Sequence, residues 1–174
     1  PQGKEPNKPR QLWTQGETES NSCWFPTIES GAERCTQELY ITVDDTLQTL
    51  SNGTLISSVK NGNGTRTDLW KLDTPHTPYL FMMAVGRFAV VKDKWRNVDV
   101  DYYVDPEYEQ YARMIFGNTP QMIEFFSKSL GVDYMWPKYS QIIVRDFVSG
   151  AMENTTAVTF MEAVQQDRRE WLDE

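Results

Sequence analysis

The sequence contains very little histidine and cysteine. Its 174 residues include one histidine, His76, and two cysteines, Cys23 and Cys35. A catalytic zinc site uses three protein ligands, so a single histidine with no suitably spaced thiols does not build one. Two cysteines are also too few for the disulfide framework of a small secreted domain. They could pair with each other in an oxidising compartment or be two buried thiols, and the sequence leaves both alternatives open.

Long hydrophobic runs and an excess of positive charge are also absent. No apolar run approaches the roughly 18 residues of a membrane span, and the net charge of −8 provides no basic field to displace counterions from nucleic acid. We therefore expect neither a membrane nor a nucleic acid as a partner, while cationic ligands remain compatible with the acidic balance. Nothing at the N-terminus resembles a signal peptide, and the compartment stays undetermined.

What is present indicates a globular chain that is mostly β in its first half. Hydrophobic residues make up 39% and aromatic residues 13% of the chain, which suffices for a substantial core. Residues 1–10 are predicted to be an extended connector, and Asn61-Gly62-Asn63-Gly64 a tight turn, because Asn and Gly tolerate positive φ. We interpret the Asn-x-Thr sequons at Asn52, Asn63 and Asn154 as turn chemistry. Strands are predicted at residues 12–14, 38–43, 47–50, 53–59, 65–72, 79–85, 86–92 and 98–104, with a turn at Asp93-Lys94.

The hydrophobic period changes to that of helices at Asp105. Asp105-Pro106 resembles an N-cap followed by proline, and this helix is predicted to end at Gly117. A second helix is predicted from Thr119-Pro120 to Gly131, and a third starts at Asp167. The second helix has an apolar stripe formed by Met122, Ile123, Phe125, Phe126 and Leu130. The pattern predicts an α+β chain, with an antiparallel β-rich domain at residues 1–97 and an α/β domain at residues 98–174.

The central motif follows a predicted buried strand, Ile142-Ile143-Val144. It is Gly150-Ala151-Met152-Glu153-Asn154, and by itself it also fits a β-bulge or a tight bend beside a surface glutamate. This motif resembles the exopeptidase signature of the aminopeptidase N and leukotriene hydrolase family of zinc metallopeptidases, the gluzincin aminopeptidases. Trp13-Thr14-Gln15-Gly16-Glu17, followed by Cys23-Trp24-Phe25-Pro26, is similar to that family's second substrate-binding segment. The resemblance covers residues 10–174.

The resemblance implies both a fold and a set of substrate contacts. The fold is the end of a saddle-like β domain followed by the start of a thermolysin-like catalytic domain, truncated before the zinc helix. In the family, the backbone at Gly150 and Ala151 contacts the substrate, while Glu153 and Glu17 bind its α-amine. That amine has a pKa of about 7.7–8.0 and is largely cationic at neutral pH, so carboxylates complement it. The substrate-binding residues implied are Gln15, Glu17, Gly150, Ala151, Met152, Glu153 and Asn154. Without the resemblance, Gln15 and Glu17 are ordinary polar turn residues.

The family's zinc ligands have no counterpart in this sequence. They lie on a helix bearing His-Glu-x-x-His and on a later glutamate, and this chain has a single histidine, predicted to lie in a loop. We expect the parent protein to be a zinc-dependent enzyme that removes N-terminal residues from peptides. We expect the 174-residue chain to hold no zinc and to be inactive.

Two alternatives remain open at this point. One is a non-catalytic peptide-binding or interaction module, and the other is a parent whose zinc residues have degenerated. The expected partners are peptides with a free N-terminal amine. Self-association through the surface of residues 102–160 is also expected, because apolar faces there are left uncovered. Side-chain specificity stays undetermined.

Overall fold

The computed structural model describes residues 9–169, and these divide into two compact units. The first unit comprises the chain up to Arg87 together with Met152–Ala157, and the second comprises Phe88–Ala151 and the chain from Val158. The strands are β1 (Gln11–Trp13), β2 (Cys35–Asp44), β3 (Gln48–Ser51), β4 (Thr54–Lys60), β5 (Thr65–His76), β6 (Met83–Gly86), β7 (Ala89–Trp95), β8 (Val98–Val104), β9 (Lys138–Val144), β10 (Ala151–Met152) and β11 (Ala157–Met161). The α-helices are α1 (Ala112–Phe116) and α2 (Thr119–Leu130), and short 3₁₀ helices lie at Asn21–Cys23, Pro78–Leu80, Pro106–Tyr111 and Glu162–Val164.

The first unit contains two antiparallel sheets, in the orders β1-β6-β3 and β2-β5-β4. The long strand β5 is central in the second sheet, where Trp70 lies opposite Leu39. Trp70 and Leu72 are buried with Leu50 and Met82. The antiparallel, β-rich character predicted for the first part of the chain is therefore confirmed.

The second unit is built on one mixed sheet, in the order β10-β11-β9-β8-β7. β7 and β8 are antiparallel, whereas β8 and β9 are parallel, with Asp99 opposite Lys138. One face of this sheet packs against the helices in a single apolar cluster. Its buried members are Trp95, Val100, Tyr102, Val104, Ala112, Phe116, Ile123 and Ile143. A thermolysin-like architecture for this unit stays a prediction.

One detail of the sequence prediction is corrected around β7. Asp93-Lys94 lies inside the strand, and the turn falls at Arg96-Asn97, where Arg96 adopts a φ of 51°. Both residues continue the pairing with β8, where Asp93 lies opposite Val100 and Lys94 opposite Asp99. The Asp93 carboxylate also accepts a hydrogen bond from the Tyr102 hydroxyl at 2.9 Å. The division into compact units falls at Phe88, and a domain boundary between residues 97 and 98 stays a prediction.

The helices differ from their prediction in what they bury. The first begins as the 3₁₀ helix Pro106–Tyr111 before α1, and α2 ends at Gly131, whose φ is 68°. Ile123 is buried, but the rest of the predicted stripe on α2 is exposed, at 55% for Met122, 64% for Phe125, 57% for Phe126 and 73% for Leu130. The predicted connector at residues 1–10 and the third helix fall largely outside the described residues. No helix within residues 9–169 is long and apolar enough to cross a membrane.

Candidate functional site

The loop that follows β1 passes very close to residues 78–83. Gly16 is buried in this loop, and a Cβ placed on it would lie 2.5 Å from the carbonyl oxygen of Tyr79 and 2.2 Å from Asn21 Nδ2. No side chain fits there without displacing backbone. The next residue, Glu17, is exposed.

Asn21 holds this loop in place from inside the first unit. It is fully buried, and its Nδ2 donates to the carbonyl oxygens of Pro78 at 2.6 Å and Phe81 at 3.0 Å. Its Oδ1 accepts a hydrogen bond from Trp24 Nε1 at 2.7 Å. Both donor hydrogens of this amide are thus directed at residues 78–83, which hold the loop in position.

The segment that contains Glu153 has an alternating pattern of burial. Met152 and Asn154 are each only 1% exposed, whereas Glu153 between them is exposed. The chain then turns, with Ala157 N donating to the Asn154 carbonyl oxygen at 3.0 Å and Thr156 at a φ of 67°. This geometry directs Glu153 towards solvent while its neighbours face inwards.

Asn52 holds this second segment to the same residues 78–83. It is fully buried, and its Nδ2 donates to the carbonyl oxygens of Leu80 at 2.8 Å and Thr155 at 2.7 Å. Its Oδ1 accepts from Met82 N at 2.8 Å. The adjacent Gly53 N donates to Thr156 Oγ1 at 2.8 Å, which adds a second bond from the same turn.

His76 makes a third contact with the segment, and its predicted loop position is corrected. It is the last residue of β5, because pairing with β2 continues as far as the partners Cys35 and His76. Its Nδ1 lies 3.1 Å from Thr155 Oγ1, and its ring stacks on Phe81 with centroids 4.2 Å apart. Burial lowers its pKa to about 4, so the ring is neutral at physiological pH.

The electrostatic surroundings of Glu17 are acidic. Glu17 lines a cavity of about 230 Å³ together with Thr18, Glu19, Glu29, Ser30, Gly31 and Tyr79. Glu29 Oε1 accepts from Ser22 N at 2.5 Å, while Glu29 Oε2 and Gln15 Oε1 are buried oxygens without a hydrogen-bond partner in the described part of the chain. Within residues 9–169, neither Glu17 nor Glu153 forms a hydrogen bond or an ion pair. Both carboxylates are therefore free to bind a cation.

Gly150 and Ala151 belong to the second unit and lie at an edge of its sheet. Both are exposed, and no atom lies within 4 Å of the position that a Cβ of Gly150 would occupy. The Gly150 carbonyl oxygen accepts from Met161 N at 3.1 Å. An edge strand presents unpaired backbone groups, which a further strand can use.

The residues present do not fit a zinc site. Among residues 9–169, no group of three or more histidine, cysteine, aspartate or glutamate side chains could hold a metal ion. Cys23 and Cys35 are free and exposed, so neither the disulfide nor the buried-thiol alternative is found. His76 directs one ring nitrogen at Thr155 and is packed against Phe81. We derive no chemical step through a metal held by these residues.

Sequence reasoning missed the residues that hold the two loops. The sequence pattern marks Asn52 only as a sequon and a turn residue, and Asn21 as one polar residue of a polar loop. The carbonyl groups to which Asn52 donates lie 28 and 103 residues away in the sequence. Those to which Asn21 donates lie 57 and 60 residues away. No local pattern reports such pairings.

Comparison with known proteins identifies the class. Residues 114–168 match the Peptidase family M1 domain. The chain is 29% identical over 152 residues to a probable aminopeptidase 2 of Sulfurisphaera tokodaii, covering 87% of this chain and 19% of that protein. It is 27% identical to a leucyl aminopeptidase of Saccharolobus solfataricus, over 86% of this chain and 19% of that protein. With a glutamyl aminopeptidase of Mus musculus it shares 33% identity, over 55% of this chain and 11% of that protein.

These matches define a class of hydrolases, the metallopeptidases that act as aminopeptidases. The matches confirm the resemblance to the peptidase family M1 aminopeptidases that the two motifs predicted. It spans about a fifth of the length of the first of these relatives. Peptidase family M1 is zinc-dependent, and this chain is similar to part of its aminopeptidases.

Proposed function

We propose that this chain is the part of a zinc-dependent aminopeptidase that recognises the free N-terminus of a peptide substrate. The observation behind the proposal is the pair of exposed, unpaired carboxylates of Glu17 and Glu153. They lie on two loops of the first unit, and each loop is hydrogen-bonded to residues 78–83. The similarity to peptidase family M1 adds the chemical context in which such carboxylates would bind an amine.

An α-ammonium group is the cation that these carboxylates would take. It is largely protonated at neutral pH, with a pKa of about 7.7–8.0. Two carboxylates near one cation no longer repel each other, because the shared positive charge compensates both. Each pair contributes a few kcal/mol at an effective dielectric constant of about 20, before desolvation is subtracted. Recognition of a charged chain end also excludes internal peptide segments, which have no free amine.

The remaining predicted residues take supporting roles in the proposal. The exposed backbone of Gly150 and Ala151 would pair with the substrate as an added strand. Gln15 would contact the first substrate residue through its amide. Met152 and Asn154 are buried, so we assign them to holding the motif rather than to direct contact with the amine.

The chain by itself is proposed to lack peptidase activity. Zinc ligands and a general base would come from other parts of the parent protein, and the isolated chain should contain no stoichiometric zinc by metal analysis. One tightly bound zinc at a site that includes His76 would contradict this expectation.

The chain should also self-associate through the exposed apolar face of α2, which includes Phe126 and Leu130. Replacing both residues by serine should make the chain monomeric in sedimentation velocity.

Steady-state kinetics of the full-length protein test the amine assignment. Glu17→Gln and Glu153→Gln keep the shape of each side chain but remove its charge. Each should lower kcat/KM for a free-amine substrate by about 100-fold, since a cation loses one charged partner. Glu33→Gln is the matched control, because Glu33 is exposed on the neighbouring loop and lies outside the cavity that Glu17 lines. Wild-type kcat/KM for both test variants would refute the proposal.

Binding measurements separate the enzyme from the non-catalytic alternative. Calorimetry with a short peptide amide and its N-acetyl form measures recognition of the amine without any turnover. A full-length protein that holds zinc and discriminates the two peptides, yet hydrolyses neither, would be a peptide-binding pseudoenzyme.

A further inference from the structure

Two buried asparagines connect the candidate amine-binding loops to one short backbone segment. Asn21 donates to Pro78 and Phe81, and Asn52 donates to Leu80 and accepts from Met82 N. Both side chains are 0% exposed. Residues 78–83 begin with the 3₁₀ helix Pro78–Leu80 and lead into β6. The loop with Glu17 and the segment with Glu153 are therefore both positioned from this one stretch of chain.

We infer that Asn21 and Asn52 are positioning residues, which set the placement of Glu17 and Glu153 through residues 78–83. The inference rests on the proposed function and adds to it the origin of the geometry. Because all these residues belong to the first unit, the relative placement of the two carboxylates is determined within that unit. Neither asparagine is proposed to contact the substrate amine.

The chemistry of the amide explains why asparagine occupies both positions. An amide offers two N–H donors and a carbonyl acceptor in a fixed plane. Asn52 uses both donors, for Leu80 and Thr155, and its acceptor for Met82 N. Aspartate has the same shape but no donor, and it would place a negative charge against two carbonyl oxygens. Position 52 therefore requires the hydrogen-bonding groups of asparagine as well as its size.

The two loops differ in how much of their position depends on the asparagine. The segment with Glu153 has two further hydrogen bonds, one from Gly53 N to Thr156 and one between Thr155 and His76. Loss of Asn52 should therefore shift this segment without detaching it. The same side chains would also stabilise the fold if they had no effect on the site, so stability alone does not test the inference.

Double-mutant cycles in the full-length protein distinguish positioning from stability. If Asn52 acts through Glu153, Asn52→Ala should lower kcat/KM for a free-amine substrate by about tenfold in the wild-type background. In the Glu153→Gln background the same change should have an effect of less than about twofold, while in the Glu17→Gln background the full effect remains. For Asn21→Ala we expect the opposite dependence. Its effect on kcat/KM should disappear in the Glu17→Gln background and remain in the Glu153→Gln background.

A milder variant keeps the test usable if Asn52→Ala does not fold. Thr155→Val removes the hydroxyl that contacts His76 Nδ1 and preserves the shape of the side chain. It should lower kcat/KM by about threefold, with the same dependence on Glu153. Asn61→Ala, at the exposed turn between β4 and β5, is the control and should leave kcat/KM unchanged.

Each outcome has a defined meaning. An effect of Asn52→Ala that is equally large in the Glu153→Gln and Glu17→Gln backgrounds would overturn the positioning role and leave the proposed function intact. If Glu17→Gln and Glu153→Gln themselves leave kcat/KM unchanged, the proposed function fails and the positioning inference fails with it.

Discussion

The loop that contains Glu17 and the segment that contains Glu153 are held in position by different contacts. Each exposes one carboxylate, and each is hydrogen-bonded to residues 78–83 by a buried asparagine. The first loop relies on steric fit, because Gly16 lies against the Tyr79 carbonyl with no room for a Cβ. The second relies on additional hydrogen bonds from Gly53 and His76.

This difference shows which perturbations each loop should resist. The loop with Glu17 is fitted against backbone and tolerates no added volume. Its described hydrogen bonds to residues 78–83 are made by amide, carbonyl and hydroxyl groups, which do not change protonation state near neutral pH. A segment that contacts a buried histidine tolerates modest changes of shape but becomes sensitive to protonation. The two loops can therefore be perturbed separately, by volume in one case and by pH in the other.

The largest expected effect is on the first loop. Gly16→Ala would place a methyl group 2.5 Å from the Tyr79 carbonyl oxygen, and the backbone must move to accept it. We expect a loss of about 3–4 kcal/mol in the free energy of unfolding, measured by urea denaturation. Gly31→Ala is the matched control in the same region, since no atom lies within 4 Å of its Cβ position, and it should be nearly neutral. Equal unfolding midpoints for the two variants would show that the loop is not fitted as described.

The next effect compares the two asparagines directly. Asn21→Ala leaves the carbonyl oxygens of Pro78 and Phe81 without this donor, and Asn52→Ala does the same for Leu80 and Thr155. Each change should cost about 2–3 kcal/mol of unfolding free energy, because buried polar groups lose their partners. Hydrogen exchange of the affected loop should rise more for Asn21→Ala, since the other segment keeps its bonds from Gly53 and His76. A larger rise for Asn52→Ala would reverse the comparison.

A smaller effect is confined to the second segment and depends on pH. The pKa of His76 is about 4 in the folded chain and about 6.5 when unfolded, so the unfolded state takes up the proton first as the pH falls. The stability that depends on a neutral His76 is fully present above pH 6.5 and is lost between pH 6.5 and 4. The free energy of unfolding should therefore fall by about 2 kcal/mol between pH 7.5 and 5. His76→Gln should flatten this part of the profile in urea titrations. A profile that keeps the same slope in the variant would assign the effect to another group.

The smallest expected effect removes a single contact of that histidine. Thr155→Val deletes the hydroxyl near His76 Nδ1 and should cost about 1 kcal/mol at neutral pH. Thr42→Val is a control on an exposed strand position, where the hydroxyl only contacts Thr67. Thermal unfolding distinguishes the two, and an indistinguishable pair would mean that the Thr155 contact contributes nothing measurable.

Local patterns in the sequence determined most of the regular elements and the family resemblance. The alternation of Leu39, Ile41 and Val43 predicted β2, and Gly131 ended α2 as predicted because it adopts a left-handed conformation. These features depend on residues close together in the chain, so periodicity and turn chemistry predict them. The motif at residues 150–154 and the segment at residues 13–17 together indicated the resemblance to peptidase family M1, whose domain residues 114–168 match.

Only the tertiary structure decided how those elements are used. Asp93 lies in a strand because β7 pairs with β8, and the buried Asn52 donates a hydrogen bond to Thr155, 103 residues away. The apolar residues of α2 looked like a core face, yet Ile123 is buried and Phe126 is exposed, because only one side of the helix meets the sheet. Burial and hydrogen-bond partners depend on which distant segments pack together, and a local pattern does not contain that information.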